Sequence, residues 1–298
     1  MKVDVPITEA MNTRTSGHFD NYKNITLQLD GSKEDEILVA HAEILATAFG
    51  SHLTGLFTSI LPDILLYAND MGTASSLDMV DQIRLRTTAA IERLQSRFER
   101  LSPLHELRRV EDFAGWLPSL MATEIRTSDL FIGTCPREQE AGFDWKRLIE
   151  AALFESGRGV YLVPPAQPPR QAIRTALVGW TDTKEAARAV AEAMPLLRLA
   201  SRTKIVTVNE ADQGGNLDKN ADLADIATYL ARHGVETVVE ALTLDQSVAN
   251  TLLREAHRIS ADLLVVGAYG HSRLREWIMG GTTAELLETT DIPLLMAH

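Results

Sequence analysis

Residues 174–200 read RTALVGWTDTKEAARAVAEAMPLLRLA, and residues 25–49 read ITLQLDGSKEDEILVAHAEILATAF. Each stretch has a short apolar run, a small polar turn and then apolar residues at helical spacing, which predicts a strand followed by a helix. A shift of 151 residues aligns the two turns. It places the hydroxyls of Ser32 and Thr183 at equivalent positions, where we expect each to cap the helix that follows. The chain therefore contains an internal repeat.

The ends of the two copies correspond as well. Residues 126–134 (RTSDLFIGT) resemble residues 259–268 (ISADLLVVGA), and residues 157–165 resemble residues 291–298. Each is a short apolar run after a helical pattern, which is typical of a buried parallel strand. Between the copies, residues 164–169 (PPAQPP) are too rich in proline to continue a strand or a helix. The sequence therefore predicts two halves of similar architecture joined by this stretch.

The second half shows the order of its elements more clearly than the first. Strands are predicted at residues 174–180, 203–209, 235–241, 262–267 and 292–297, and helices at residues 184–200, 218–233, 245–259 and 282–290. Strands and helices that alternate at these lengths imply right-handed crossovers and an α/β fold with doubly wound parallel sheets. We expect a flexible leader at residues 1–21, a first domain at residues 22–165 and a second domain at residues 170–298.

Composition restricts the functions open to the chain. Its 298 residues include 41 Asp and Glu against 29 Lys and Arg, a formal net charge of -12. Such a field repels nucleic acid and anionic membrane surfaces, so we expect neither as a partner. Cys135 is the lone cysteine and is expected to be a passive thiol. The histidines lack ligand spacing, so no metal site is predicted. The N-terminus lacks the apolar core of a signal peptide, so we expect a cytoplasmic protein.

The segment most informative about function is residues 267–283, GAYGHSRLREWIMGGTT. Gly267 and Gly270 follow a predicted strand, where a backbone without Cβ atoms can turn tightly and approach a ligand. Gly280 and Gly281 precede a predicted helix, whose free N–H groups and positive dipole end favour an anion. The segment contains neither GxxxxGK[ST] nor GxGxxG, so those two phosphate-binding motifs are excluded. Turn geometry alone also explains such glycines, and both interpretations stay open at this point.

With these features, the chain resembles the universal stress protein family in its tandem, two-domain form, over residues 22–298. The resemblance implies the adenine nucleotide alpha hydrolase-like fold, with two five-stranded sheets of strand order 3-2-1-4-5. Strands 1 and 4 of such a sheet are neighbours whose connections leave in opposite directions, which opens a crevice at their carboxyl ends. The resemblance also implies that the two domains associate through their fifth strands as an intramolecular pseudo-dimer, and a homodimer is a further expectation. Nucleotide-binding members carry Gly-x2-Gly-x9-Gly-[Ser/Thr] after the fourth strand and an acidic residue at the end of the first.

The first half matches only one part of that family pattern. It keeps Asp30 at the acidic position but has CPREQEAGFDW (135–145) where the glycine loop belongs. There, Glu138 and Glu140 would meet a triphosphate with charge of the same sign. We therefore predict that the first half does not bind ATP.

The second half matches the other part. Gly267, Gly270 and Gly280 have the loop spacing, whereas Thr181 replaces the acidic residue and Gly281 stands at the Ser/Thr position. The residues that the resemblance and the expected crevice bring together as a nucleotide site are Thr181, Asp182, Thr183, Gly267, Gly270, His271, Arg273, Gly280, Gly281, Thr282 and Thr283. ATP is the expected ligand, with Mg2+ present only when ATP is bound.

Three functions remain open from the sequence. The first is a regulatory stress-response protein whose second half binds ATP or another adenine nucleotide. The second is an interaction or scaffold protein that uses the same fold without nucleotide. The third is an enzyme that acts on the γ-phosphate, at most a weak ATPase, because only Asp182 is placed as a base or a metal ligand. No catalytic residue is predicted.

Overall fold

The computed structural model describes residues 21–61, 73–136, 145–170, 172–209, 217–270 and 281–298. Its strands are β1 (Asn24–Leu29), β2 (His52–Leu61), β3 (His105–Phe113), β4 (Leu130–Thr134), β5 (Gly159–Val163), β6 (Thr175–Gly179), β7 (Arg202–Asn209), β8 (Thr237–Thr243), β9 (Leu263–Gly267) and β10 (Leu294–Ala297). Its helices are α1 (Asp35–Phe49), α2 (Thr73–Phe98), α3 (Leu117–Ile125), α4 (Trp145–Glu155), α5 (Lys184–Leu199), α6 (Leu217–Arg232), α7 (Val248–Arg258) and α8 (Gly281–Thr289). In the second half, the observed bounds lie within three residues of the predicted ones.

The strands form one sheet of ten, in the order β3-β2-β1-β4-β5-β10-β9-β6-β7-β8. Each half has the predicted order 3-2-1-4-5, and within each half all neighbouring strands are parallel. The sequence predicted two five-stranded sheets. The structure joins them, because the fifth strands β5 and β10 pair antiparallel and continue one ladder across both halves.

The junction between the halves is symmetric. Its three antiparallel pairs are Val160 with Met296, Tyr161 with Leu295, and Leu162 with Leu294. Ile132 of β4 and Val265 of β9 are equivalent, because they pair with residues of β1 and β6 that the shift of 151 aligns. Tyr161 pairs with Ile132, and Leu295 pairs with Val265, so Tyr161 and Leu295 also hold equivalent positions in the repeat. A pseudo-two-fold axis therefore passes between these two residues. The fifth-strand association that the family resemblance implied is formed within the chain.

Helices cover both faces of the sheet, as a doubly wound fold requires. One core cluster lies under α1, α2, α5 and α6, and a second lies under α3, α4, α7 and α8. Each cluster runs across the β5–β10 junction, since one contains Tyr161 and Leu295 and the other contains Val160 and Leu294. None of the helices in the described part of the chain combines the length and the apolarity that crossing a bilayer requires.

The two helix starts differ more than the sequence predicted. Thr183 caps α5 as expected, with an extended backbone and a side chain that accepts from an N–H of the first turn. Ser32 does not cap α1, which begins at Asp35 after Glu34. The expectation for Ser32 is wrong because α1 begins three residues after it, so the Ser32 hydroxyl does not stand at the helix start. The Ser32 N–H donates instead to the Asp30 carboxylate, at 2.8 Å, within the preceding turn.

Candidate functional site

The turn between β6 and α5 carries three of the predicted site residues. Thr181 and Asp182 are exposed, and Thr183 is half-buried. The Thr183 N–H donates to the Thr181 carbonyl at 2.8 Å, and the Ala186 N–H donates to Thr183 Oγ1 at 3.3 Å. Within the described part of the chain, the N–H groups of Thr181 and Asp182 have no acceptor. The turn therefore offers two backbone donors at the carboxyl end of the sheet.

The glycines at the end of β9 are there for different physical reasons. A Cβ on Gly267 would lie 2.5 Å from the backbone nitrogen of Ala186, so packing against α5 alone requires glycine. A Cβ on Gly270 would lie 3.5 Å from Thr183 Oγ1 and 3.4 Å from Glu185 Oε2, which are ordinary contacts. Gly270 is exposed. Of these two glycines, Gly267 is required by packing, whereas the described neighbours of Gly270 leave room for a Cβ.

The first turn of α8 meets the same place. The Tyr269 N–H donates to Thr283 Oγ1 at 3.2 Å, so the buried Thr283 holds the β9 turn against this helix. Gly281 is exposed with open space where a Cβ would stand, and Thr282 is half-buried. The first N–H groups of a helix have no acceptor inside it, so the positive end of α8 lies beside the turn that follows β9.

The structure therefore gathers most of the predicted site at one switch point of the sheet. The predicted residues that it places there are Thr181, Asp182, Thr183, Gly267, Gly270, Gly281, Thr282 and Thr283. Three others, His271, Arg273 and Gly280, lie outside the described residues, as do Glu138 and Glu140 of the first half.

Sequence reasoning missed an acidic residue in this crevice. Glu185 is buried in the first turn of α5, and Lys184 Nζ lies 3.4 Å from its Oε1. Burial raises the pKa of Glu185, but this is outweighed by three stabilising interactions of the carboxylate. The pKa lies below its ordinary value because of the hydrogen bond from the Glu185 backbone N–H, the Lys184 ammonium and the charge of His298. The carboxylate is therefore ionised near Gly270. Its only signal in the sequence is the recurrence of Glu34 at the equivalent position.

Two buried polar atoms at neighbouring strand ends have no partner in the described structure. They are the indole Nε1 of Trp180, directly after β6, and the Oδ1 of Asn209, the last residue of β7. The Trp180 ring packs against the core. Since buried donors and acceptors are almost always hydrogen-bonded, these two call for a physical explanation.

The corresponding turn of the first half, between β1 and α1, is closed by the chain itself. The N–H groups of Asp30 and Gly31 donate to the two carboxylate oxygens of Asp35, at 3.1 and 2.8 Å. Arg93 of α2 donates to the Gly31 carbonyl at 2.7 Å. Burial, together with the nearby charge of Asp30, raises the pKa of Asp35 to about 7. Asp35 is equivalent to Ala186 in the repeat, and no sequence motif indicated its role.

Cys135 follows β4 and is buried. Its N–H donates to the Val163 carbonyl at 2.9 Å, as the equivalent Ala268 donates to Ala297. Burial raises the pKa of the Cys135 thiol to about 12, so the thiolate is scarce at neutral pH. The structure thus favours the passive thiol expected from the sequence. Among the described residues, no three His, Cys, Asp or Glu side chains gather as metal ligands would.

Comparison with known protein families supports the resemblance seen in the sequence. A family model described as the universal stress protein family matches residues 172–298. A universal stress protein of Synechocystis is 37% identical over 91 residues, which is 30% of this chain and 30% of the relative. The chain thus matches less than a third of that relative's length.

Solved structures resemble nearly the whole chain. A universal stress protein from Archaeoglobus fulgidus has a TM-score of 0.63 at 15% identity, covering 94% of this chain and 97% of its own. A functionally unknown protein from Pseudomonas aeruginosa has a TM-score of 0.61 at 16% identity, covering 94% and 93%. At such low identity these likenesses establish a shared fold over both halves.

Proposed function

Since residues 172–298 match the universal stress protein family, we propose that this second half of the chain binds an adenine nucleotide, with ATP as the first candidate. The site is the crevice between β6 and β9, at the topological switch point where open α/β sheets bind ligands. Binding without turnover gives the chain a regulatory role, because no described residue in the crevice is arranged as a general base beside a metal ligand.

The observation that carries the proposal is the pair of N–H groups on Thr181 and Asp182, which have no acceptor among the described residues. In the first half, the equivalent N–H groups of Asp30 and Gly31 hold the Asp35 carboxylate. In the second half that carboxylate is replaced by the methyl group of Ala186. In the first half, these two N–H donors bind an acceptor of the protein itself. In the second half, the equivalent donors are therefore available to an acceptor of the nucleotide.

Three further features support the same crevice. Gly270 lets the chain pass over Thr183 with no Cβ in the way, although packing does not require glycine there. The amino end of α8 supplies N–H groups that have no acceptor within the helix, together with positive dipole charge, and both favour phosphate. The unpartnered Trp180 Nε1 and Asn209 Oδ1 fit a ligand with both acceptor and donor groups, as a purine and its ribose have. Mg2+ enters only as the counter-ion of ATP, since the described residues offer no metal cluster of their own.

Calorimetric titration of ATP into the full chain, freed of nucleotide, tests the proposal. We expect saturable binding of one ATP per chain, and its loss in Gly270→Val, whose side chain fills the space over Thr183. Gly115→Val is the matched control, because Gly115 lies in the first half with open space around it. The proposal fails if the native chain shows no saturable binding at millimolar ATP, or if both variants bind equally well.

A second function, an interaction protein without nucleotide, is favoured by one observation. The two edge strands, at opposite ends of the sheet, expose large apolar side chains, since Phe113 of β3 and Val238 of β8 are 47% and 66% exposed. Trp116, in the turn after β3, is 70% exposed. Exposed apolar groups at open sheet edges are typical of surfaces that other chains cover. If ATP does not bind, a chain that elutes as a complex, and as a monomer after Trp116→Ser and Val238→Lys, supports this function.

A further inference from the structure

A cavity of about 410 Å3 lies between the two halves, away from the nucleotide crevice. It is bounded by α1, by the connection from β5 to β6, and by residues that precede β9 and β10. Asp262, just before β9, lines this cavity, whereas Gly267 at the other end of β9 borders the crevice. The two spaces therefore lie at opposite ends of the same strands.

The polar floor of the cavity is internally satisfied. His41 is buried, with Nε2 at 3.0 Å from the Gln167 carbonyl and Nδ1 at 3.4 Å from the Tyr161 hydroxyl. Because a carbonyl only accepts, Nε2 carries the hydrogen and Nδ1 accepts from Tyr161. Burial lowers the pKa of His41, which is consistent with a neutral ring. The floor therefore presents rings and no free charge.

The charges at the cavity wall are also paired. Arg97 binds the Glu43 carboxylate at 2.8 Å, and Arg170 binds Asp262 at 2.5 Å. The other oxygen of Asp262 accepts the N–H groups of Arg174 and Thr175 at 2.8 and 2.9 Å. No described residue of the lining thus offers an unpaired charge to a ligand. A charged guest would be desolvated there without compensation, whereas an uncharged one would not.

The position related to this cavity by the pseudo-two-fold axis is filled by side chains. The association of the two halves therefore does not by itself create the cavity. Across the axis, Tyr22 stands where Ile173 lines the cavity, and Glu192 stands where His41 does. Tyr22 is buried, packs edge-on against Phe49 at 5.0 Å between ring centroids, and donates from its hydroxyl to the Glu192 carbonyl at 2.6 Å. A tyrosine thus occupies one of the two equivalent places, and the smaller isoleucine accompanies a cavity at the other.

We propose that this cavity is a binding site for an uncharged, mainly apolar small molecule, distinct from the nucleotide. Its volume falls within the roughly 300–1,000 Å3 usual for small-molecule sites. Its walls are largely aliphatic, with Ile44, Ala48, Pro168, Ile173, Leu199 and Ile292 among them. Since α1 belongs to the first half and Leu199 and Ile292 to the second, a bound molecule contacts both halves. Occupancy therefore links the two halves beyond the β5–β10 ladder.

The neutral fluorophore N-phenyl-1-naphthylamine, which brightens in apolar surroundings, tests the site on the full chain. We expect saturable enhancement at one probe per chain, unchanged by saturating ATP. Ile173→Tyr copies the arrangement of Tyr22, and Ala48→Trp adds bulk from an exposed position of α1 at the cavity. Each is expected to weaken probe binding at least about tenfold by filling the space.

Ala89→Trp is the matched control, since Ala89 is exposed on α2 and does not line the cavity. It should bind the probe like the native chain. Because Ala48 is exposed, Ala48→Trp keeps the experiment decisive if Ile173→Tyr does not fold. The proposal is overturned if the native chain gives no saturable enhancement, if Ala48→Trp binds as well as Ala89→Trp, or if ATP displaces the probe.

Discussion

The turns after β1 and β6 hold equivalent places in the repeat but are filled in opposite ways. In the first, the Asp35 carboxylate binds the N–H groups of Asp30 and Gly31. In the second, the methyl group of Ala186 leaves the corresponding N–H groups without an acceptor among the described residues. The first half thus contains its own hydrogen-bond acceptor at the position where the second half has none among the described residues. A single side chain, Asp35 against Ala186, accounts for this difference between the two turns.

The amino ends of the same strands show that this difference is local. Asp129 accepts the N–H groups of Lys23 and Asn24 at 2.7 and 2.9 Å. Asp262 makes the equivalent bonds in the second half at 2.8 and 2.9 Å. The repeat therefore keeps its hydrogen bonds where they join strands and has diverged at the carboxyl ends, where ligands bind in such sheets.

The largest expected effect concerns the pH dependence that Asp35 confers on stability. Its pKa of about 7 in the folded chain lies above the ordinary value of 3.8. Between these values the unfolded chain releases the proton while the folded chain keeps it, so the free energy of unfolding falls as pH rises. The full contribution is about 4 kcal/mol at most. In Asp35→Asn this contribution disappears, which denaturant titrations from pH 4 to pH 8 measure.

Asp182→Asn supplies the control, because it makes the same change in the exposed turn of the other half. Its stability should follow the native curve across this pH range. If the free energy of unfolding of Asp35→Asn has the same pH dependence as that of the native chain, Asp35 is ionised throughout this pH range. The two N–H groups would then outweigh burial, and the first turn would hold a full negative charge.

The next effect tests whether the open turn receives the nucleotide. Ala186→Asp places in the second half the carboxylate that closes the first. We expect ATP affinity to fall about 100-fold, equivalent to about 2.8 kcal/mol, because the donors become occupied and a negative charge faces the nucleotide. Calorimetric titration of the folded variant measures the change.

Ala187→Asp distinguishes position from charge, since Ala187 is the next residue of α5 and is exposed. It adds the same charge beside the crevice without reaching the turn, so we expect only a small loss of affinity. Equal losses in the two variants would mean that general repulsion acts and that the turn N–H groups do not contact the nucleotide.

Much of this architecture could be predicted from the sequence because it rests on periodic patterns. The parallel α/β class followed from the alternation of elements, whereas the strand order came from the family resemblance. Gly267 and Thr183 were located from spacing. The closure by Asp35 could not be predicted, since it depends on how a turn folds back onto the helix it precedes. The cavity beside His41 depends on contacts between halves that lie far apart in the chain. Neither leaves a periodic signal.

The smallest effect concerns the helix starts beside the two turns. Thr183 caps α5 through the Ala186 N–H, so Thr183→Ala should lower the free energy of unfolding by about 1 kcal/mol. Ser32→Ala, at the equivalent position, should change it little, because α1 begins at Asp35 without a bond from the Ser32 side chain. Denaturant titration of both variants measures the difference. Equal losses would show that Ser32 also caps a helix in solution, and the two turns would then differ only in the carboxylate of Asp35.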